Sequence, residues 1–279
     1  MHVSSSESHD SASLLRRFIA AHPRLCVLTG AGISTSAGIP DYRDEHGEWK
    51  HARPVEFQPF MTEPAVRRRY WARSMLGWSF FSRARPTAAH FALAKLEQRG
   101  GVPLLTTQNV DGLHHVAGSR NVIDLHGRLD HVRCMQCAHQ LPRAELQQQL
   151  QALNPAWVGL AAPALRPDGD VDMERDTSTF VVPECPACGG ILKPDVVFFG
   201  EQVPRERVER TFEGVAQADA LLVVGSSLMV YSGFRFAQAA ATAGKPIAAV
   251  NLGRTRADHL LALKISAPAD QVLGEALRD

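Results

Sequence analysis

The stretch Leu25-Cys26-Val27-Leu28-Thr29-Gly30-Ala31-Gly32-Ile33-Ser34-Thr35-Ser36-Ala37-Gly38-Ile39-Pro40-Asp41-Tyr42-Arg43 passes from an apolar run into a glycine-rich turn. Leu25 to Leu28 have the length and character of a buried parallel strand. Gly30 and Gly32 stand where such a strand turns tightly into a helix beneath a phosphate, so that backbone N–H groups approach an anion closely. The spacing is not Gly-x-Gly-x-x-Gly: the next glycine is Gly38, and residues 48–55 do not read as a second strand closed by an acidic residue. Taken alone, Gly30 and Gly32 read equally as a tight strand-to-helix turn with no ligand.

Outward from this turn, strand-length apolar runs recur at 102–106, 122–125, 196–199, 220–224 and 246–251. Helical patterns at 13–20, 90–99, 204–216 and 234–243 separate several of them. Strands alternating with helices predict a mostly parallel sheet covered on both faces, an α/β fold of Rossmann-like architecture. This sheet domain is expected over residues 12–132 and 194–279, after a disordered start at 1–11. Between 133 and 193 the alternation breaks down into a proline-containing stretch with no period and an acidic loop, Arg166 to Asp172, which reads as a separate small module. Residues 51–86, helical and rich in arginine and aromatics, form an insertion that reads as a lid.

At 279 residues the chain is long enough to bury roughly 70–75% of its unfolded surface. Thirty basic against 29 acidic residues leave a net charge of +1, which gives no electrostatic case for nucleic acid or an anionic membrane as the main partner. No apolar run approaches the roughly 18–20 residues of a membrane span. The first ten residues lack both an apolar signal core and the arginines of a mitochondrial presequence, so the expected location is the cytoplasm.

Four of the five cysteines fall as Cys134-x-x-Cys137 and Cys185-x-x-Cys188. Four thiolates at this spacing suit a closed, tetrahedral, structural zinc site, one per chain. Two disulfides or four free thiols are the plainer readings, and a nucleic-acid-binding zinc ribbon uses the same spacing. Against the ribbon, the flanks offer Arg128, Arg133 and Arg143 among several acids and no aromatic ladder. Cys26, inside the first strand, reads as a small buried hydrophobe.

Three further observations narrow the function. Residues 28–43, the string Thr107-Gln108-Asn109-Val110-Asp111-Gly112-Leu113-His114, and Leu125-His126-Gly127 together resemble the sirtuins, NAD-consuming protein deacylases. The resemblance covers about residues 13–275, and it places a zinc module where the cysteine pairs lie. It implies that the acyl-lysine oxygen attacks the ribose carbon bearing nicotinamide, which leaves. His126 then takes a proton from the ribose hydroxyls, so that the 2′-oxygen attacks the amidate carbon. Water finally yields lysine and O-acyl-ADP-ribose, which makes NAD a co-substrate and not a hydride carrier.

By the same resemblance Asn109 holds the ribose and an ordered water, and Asp111 with Ile39 clamps the nicotinamide amide. On spacing alone, Asn109 and Asp111 read equally as turn caps. The implied NAD contacts run along Gly30, Ala31, Gly32, Ile33 and Ser34, then Gly38, Ile39, Pro40, Asp41, Tyr42 and Arg43, then Gln108, Asn109, Val110, Asp111 and His126. They continue at Gly225, Ser226 and Ser227, at Asn251, Leu252 and Gly253, and at Ala269. Val197, Phe198, Phe199 and Gly200 resemble the strand that pairs with the substrate backbone. His114 and His115 lack a match and read as helix-surface residues.

Tyr70 to Arg73 and Arg166 to Asp170 look like the class II branch, the one that includes human sirtuin-4. Tyr70 and Arg73 are three apart and share a helix face, which suits an acyl pocket for acidic acyl groups. The plainer reading is a solvated arginine face with Arg67, Arg68 and Arg69. The expected partners are acyl-lysine-bearing proteins or peptides, with neither nucleic acid nor membrane. A mono-ADP-ribosyltransferase that activates the ribose in the same way, or a sensor that binds NAD or ADP-ribose without turnover, remains a competing reading.

Overall fold

The computed structural model describes residues 5–50, 54–160, 166–171 and 175–278. In chain order it holds α1 (Ser5–Ala21), β1 (Leu25–Thr29), α2 (Phe57–Thr62), α3 (Pro64–Phe81), α4 (Ala88–Gln98), β2 (Leu104–Thr107), α5 (Leu113–Val116) and β3 (Val122–Asp124). There follow β4 (Gly127–Cys134), β5 (Gln140–Pro142), α6 (Arg143–Leu153), β6 (Leu192–Val196), α7 (Arg205–Gln217), β7 (Ala220–Val224), α8 (Tyr231–Thr242), β8 (Ile247–Val250), β9 (Leu263–Ile265) and α9 (Ala269–Ala276).

Every residue of β1, β7 and β8 is buried, as their unbroken apolar runs require of central parallel strands. They lie in a six-stranded parallel sheet of order β3-β2-β1-β7-β8-β9. Alternate residues serve opposite faces: Leu25 and Val27 pack with α1, α4 and α9, whereas Cys26 and Leu28 pack with α7 and α8. Burial pushes the Cys26 thiol up to about 12, so it behaves as the small hydrophobe expected. The strand order reverses between β1 and β7, and ligands of open α/β sheets gather outside the carboxyl ends at such a point.

A second, three-stranded antiparallel sheet, β5-β4-β6, carries the cysteine pairs. It shares one hydrophobic core with the 51–86 insertion: Phe60, Trp71 and Met75 pack with Leu129, Leu141, Leu146, Leu150 and Leu192. The helical insertion and the cysteine-bearing sheet therefore pack as one body.

Several expectations are corrected. The stretch expected to lack periodicity contains α6, whose inward positions include the polar Arg143 and Gln147 beside Leu146 and Leu150. Burying polar side chains hid its period. The run 196–199 is not a strand of the main sheet: β6 ends at Val196, Val197 N–H donates to the His126 carbonyl (2.8 Å), and Phe199 makes a single bridge to Glu56. Helix α1 begins at Ser5, within the segment expected to be disordered, residues 1–4 lying outside the described residues.

His114 is not on the surface. It is 1% exposed, with Nε2 2.9 Å from Thr29 Oγ1 and its ring centroid 4.6 Å from that of buried His90. Burial holds His90 down to about 4 and His114 well below its ordinary value, Asp270 opposing the shift at His90 and the His90 and His115 charges adding to it at His114.

The unfolded chain protonates such histidines below about pH 6.5 while the folded protein does not until about pH 4. Folding stability is therefore complete above pH 6.5 and falls as pH drops toward 4, by about 3 kcal/mol for His90 alone. Urea midpoints at pH 7.5 and 5.0 check this, and equal midpoints would contradict it.

Candidate functional site

The carboxyl ends of β1, β2, β7 and β8 open onto a cleft of about 860 Å³ between the two bodies. The turn after β1 and the turn after β7 touch. A Cβ on Gly30 would stand 2.7 Å from Ser226 Cβ, and one on Gly32 would stand 2.9 Å from Gly225 Cα. The paired glycines thus let two strand-end loops close on one another, leaving backbone along the cleft.

Most of the residues expected from the sequence line this cleft. Gly30, Ala31, Gly32, Ser34, Ile39, Asp41, Tyr42 and Arg43 come from the first turn and the segment after it, and Gln108 to Asp111 and His126 from the turns after β2 and β3. Gly225 to Ser227, Asn251 to Gly253 and Ala269 form the far end, and Tyr70 and Val197 to Gly200 the side toward the small body. Three of the implied NAD contacts do not line it. Ile33 is buried in the core beneath the sheet, Gly38 closes a short 3-10 turn in a left-handed conformation, and Pro40 stands off the wall.

At the centre, Ser34 links two of the expected residues. Its hydroxyl donates to Asp111 Oδ2 (2.7 Å) and accepts from Asn109 Nδ2 (3.0 Å). Asp111 Oδ1 accepts Leu113 N–H at 2.9 Å and so also caps a turn, whereas Asn109 is itself capped, its N–H donating to Thr107 Oγ1 at 3.1 Å. Burial pushes the Asp111 carboxyl up, against the pull of these donors.

His126 sits where β3 hands over to β4. Its Nδ1 lies 3.0 Å from the Gln108 carbonyl, an acceptor, so Nδ1 carries the proton and Nε2 the lone pair. Nε2 lies 2.8 Å from Ser232 Oγ, a partner on α8 that sequence reading missed. Burial holds the imidazole down to about 4. Arg235 and Arg207 add to the shift, and the Gln108 carbonyl opposes it. A neutral imidazole with an unprotonated acceptor nitrogen in a strand-end cleft is a base in its unprotonated form.

The segment bordering the small body is held by a buried ion pair. Lys193 Nζ lies 3.0 Å from Glu201 Oε2 and also donates to the Val196 carbonyl, and the same carboxylate oxygen accepts Phe198 N–H at 2.9 Å. Tyr70 packs edge-to-face on Phe60 and Phe198. Arg73, one turn on, does not line the cleft. Its Nε is held by Asp170 Oδ1 (2.9 Å) and the Val171 carbonyl (2.5 Å). The shared helix face exists, but the acidic loop expected in the zinc module folds back on α3 and engages the guanidinium. Asp168 of that loop lines the cleft. Burial pushes both carboxyls up, Asp170 to about 7.

The four sulfurs of Cys134, Cys137, Cys185 and Cys188 lie within 4.8 Å of one another, with Cys134–Cys188 at 3.5 Å and Cys137–Cys185 at 3.7 Å. A tetrahedral zinc with bonds of about 2.3 Å sets its sulfurs about 3.8 Å apart, so the cluster fits that ion. None of the five cysteines is paired in a disulfide, and four sulfurs gathered at one point suit a metal ion rather than two bridges.

A profile of the Sir2 family matches residues 30–232. The chain is 63% identical to an NAD-dependent protein deacetylase of Bordetella bronchiseptica over 94% of its own length and 96% of that protein's. It is 48% identical to the human mitochondrial NAD-dependent protein lipoamidase sirtuin-4 over 93% of its length and 83% of that protein's. The solved complex of Sir2 with a p53 peptide and NAD+ superposes with a TM-score of 0.74 at 29% identity, covering 94% of each chain.

Proposed function

The chain belongs to the Sir2 family, and from that premise we propose that its cleft consumes NAD to deacylate protein lysines, with His126 as the base. The protein is an NAD-dependent protein deacylase with a structural zinc. The observation that carries the assignment of the base is the Nδ1–Gln108 carbonyl bond, which leaves Nε2 as acceptor inside the cleft.

In this reading the glycine turns after β1 and β7 receive the pyrophosphate on backbone N–H groups, and Asn251 to Gly253 with Ala269 take the adenosine end. The Asn109–Ser34–Asp111 chain orients the nicotinamide ribose and its amide. Nε2 of His126 takes the ribose proton, leaving the electron pair on the oxygen that attacks the amidate carbon. Val197 to Gly200 guide an acyl-lysine peptide along the cleft edge. Four reduced thiols suit a reducing compartment, and we place the protein in the cytoplasm on that ground. Among the described residues no helix is long and apolar enough to cross a membrane.

Mass spectrometry of acyl-lysine peptides incubated with NAD tests the assignment. The expected products are free lysine, nicotinamide and O-acyl-ADP-ribose in equal amounts. ADP-ribose attached to the peptide or to protein, with the acyl group retained, would favour the ADP-ribosyltransferase reading instead.

A preference for acidic acyl groups would need the Arg73 guanidinium at the cleft wall, and its pairing with Asp170 weighs against that. Arg73→Met is expected to lower the melting temperature by removing a buried counter-charge worth about 3 kcal/mol. The ratio of desuccinylation to deacetylation should stay unchanged. A 10-fold swing toward acetyl would restore the acidic-acyl reading.

A further inference from the structure

The nitrogen that accepts the ribose proton is met, in the free protein, by a hydroxyl from a different part of the chain. Ser232 stands in the first turn of α8, 106 residues beyond His126, with Oγ 2.8 Å from Nε2, and it lines the same cleft. Because Nδ1 is committed to the Gln108 carbonyl, Nε2 has no proton to give, and Ser232 must be the donor of this bond.

The approach is built into the backbone. Gly233, the next residue, packs on Gln108 so closely that a Cβ there would stand 2.5 Å from Gln108 Nε2. Gln108 is the residue whose carbonyl fixes the other ring nitrogen, and its Oε1 accepts the Ser226 hydroxyl at 2.6 Å. The Ser232-Gly233 pair thus lets the helix start close on Gln108 and brings one hydroxyl to the base. Arg235 Nε donates to the Ser232 carbonyl at 3.0 Å and steadies the same turn.

We propose that Ser232 is a positioning residue for the base: its hydroxyl donates to Nε2 of neutral His126, keeps that lone pair aimed into the cleft, and accepts from the same nitrogen once it is protonated. The inference rests on His126 as base. A serine hydroxyl can play both parts because it rotates, giving its proton to the neutral ring and offering a lone pair to the imidazolium. In the transfer, the ribose O–H bond breaks and an Nε2–H bond forms, with the electron pair left on the ribose oxygen. The ribose hydroxyl replaces Ser232 as donor before the transfer, and Nε2–H then points to Oγ.

The charged groups facing the ring are the guanidiniums of Arg207 on α7 and Arg235 on α8, and altering the Ser232 side chain leaves both in place. A change in the base's titration on altering Ser232 therefore reports the hydroxyl. The hydroxyl bonds both forms of the ring, and its bond to the imidazolium is the stronger because it is charge-assisted, so its removal lowers the pKa of the base.

The test compares Ser232→Ala, Ser232→Thr and His126→Ala in the full chain. Ser232→Ala is expected to lower deacylation kcat about 10-fold with the KM for NAD within about twofold, since orientation of the base is lost and the nucleotide contacts remain. The acid limb of kcat/KM should move down by about half to one pH unit. At pH 7.5 the 15N resonance of His126 Nε2 should move toward that of an unbonded imidazole nitrogen, and Ser232→Thr should restore all three. A wild-type Nε2 resonance and an unmoved acid limb in Ser232→Ala would overturn the proposal, whether or not kcat falls uniformly, because a uniform fall is what a merely structural serine gives. His126→Ala separates the two readings: if it deacylates normally the base itself is misassigned, whereas an inactive His126→Ala beside a wild-type Ser232→Ala defeats only the role of the serine.

Discussion

His126→Ala is expected to lower deacylation kcat by about 10²–10⁴-fold while the protein still binds NAD with nearly unchanged affinity. The size follows from what a positioned base contributes to a proton transfer. The separation from binding follows from the geometry. The ring's hydrogen-bond partners are the Gln108 carbonyl and Ser232. The walls formed by the turns after β1, β7 and β8 are held by their own backbone contacts, such as Gly32 N–H to the Gly225 carbonyl at 2.8 Å. Alanine in place of the imidazole leaves those walls standing. Isothermal titration with NAD and single-turnover deacylation of an acetyl-lysine peptide distinguish the two effects. Near wild-type turnover in His126→Ala would mean that another group takes the proton.

Removing the zinc, by chelation or by Cys134→Ser, is expected to unfold the small body and abolish deacylation indirectly. Metal binding to four thiolates supplies folding free energy on the order of 10 kcal/mol, comparable to the whole stability of a domain. Cys134 and Cys185 are buried in the core that also contains Tyr70, Phe198 and Val196, so loosening the cluster loosens the peptide side of the cleft. The parallel sheet, whose core is separate, should keep its protection. Hydrogen exchange should therefore rise over residues 127–142 and 185–196 while β1 and β7 stay protected. Metal content well below one ion per chain in a fully active, equally stable protein would contradict this.

Much of the fold was legible because its signals are local. An unbroken apolar run such as Ala220–Val224 has few places to go except the middle of a parallel sheet, and glycines spaced as Gly30 and Gly32 mark a turn whatever surrounds it. Two Cys-x-x-Cys pairs carry their chemistry in their spacing. The α6 helix was hidden for the opposite reason: Arg143 and Gln147 are polar, and only the partners they meet on α3, the Ser74 and Met75 carbonyls, make their burial tolerable.

By itself the sequence determined the α/β architecture, the position of the cleft at the strand ends and the cysteine cluster, each from residues close together in the chain, and its resemblance to the sirtuins singled out His126 as the candidate base. Only the tertiary structure decided which nitrogen of His126 carries the lone pair, because the Gln108 carbonyl that sets its tautomer and the Ser232 hydroxyl that meets its lone pair arrive from other elements. It likewise decided that Arg73 belongs to Asp170 and that His114 is buried, since a helical spacing states which side chains share a face and not what that face meets. Proton positions, ion pairs and burial depend on distances between segments far apart in the chain, and those distances exist only once the elements have packed.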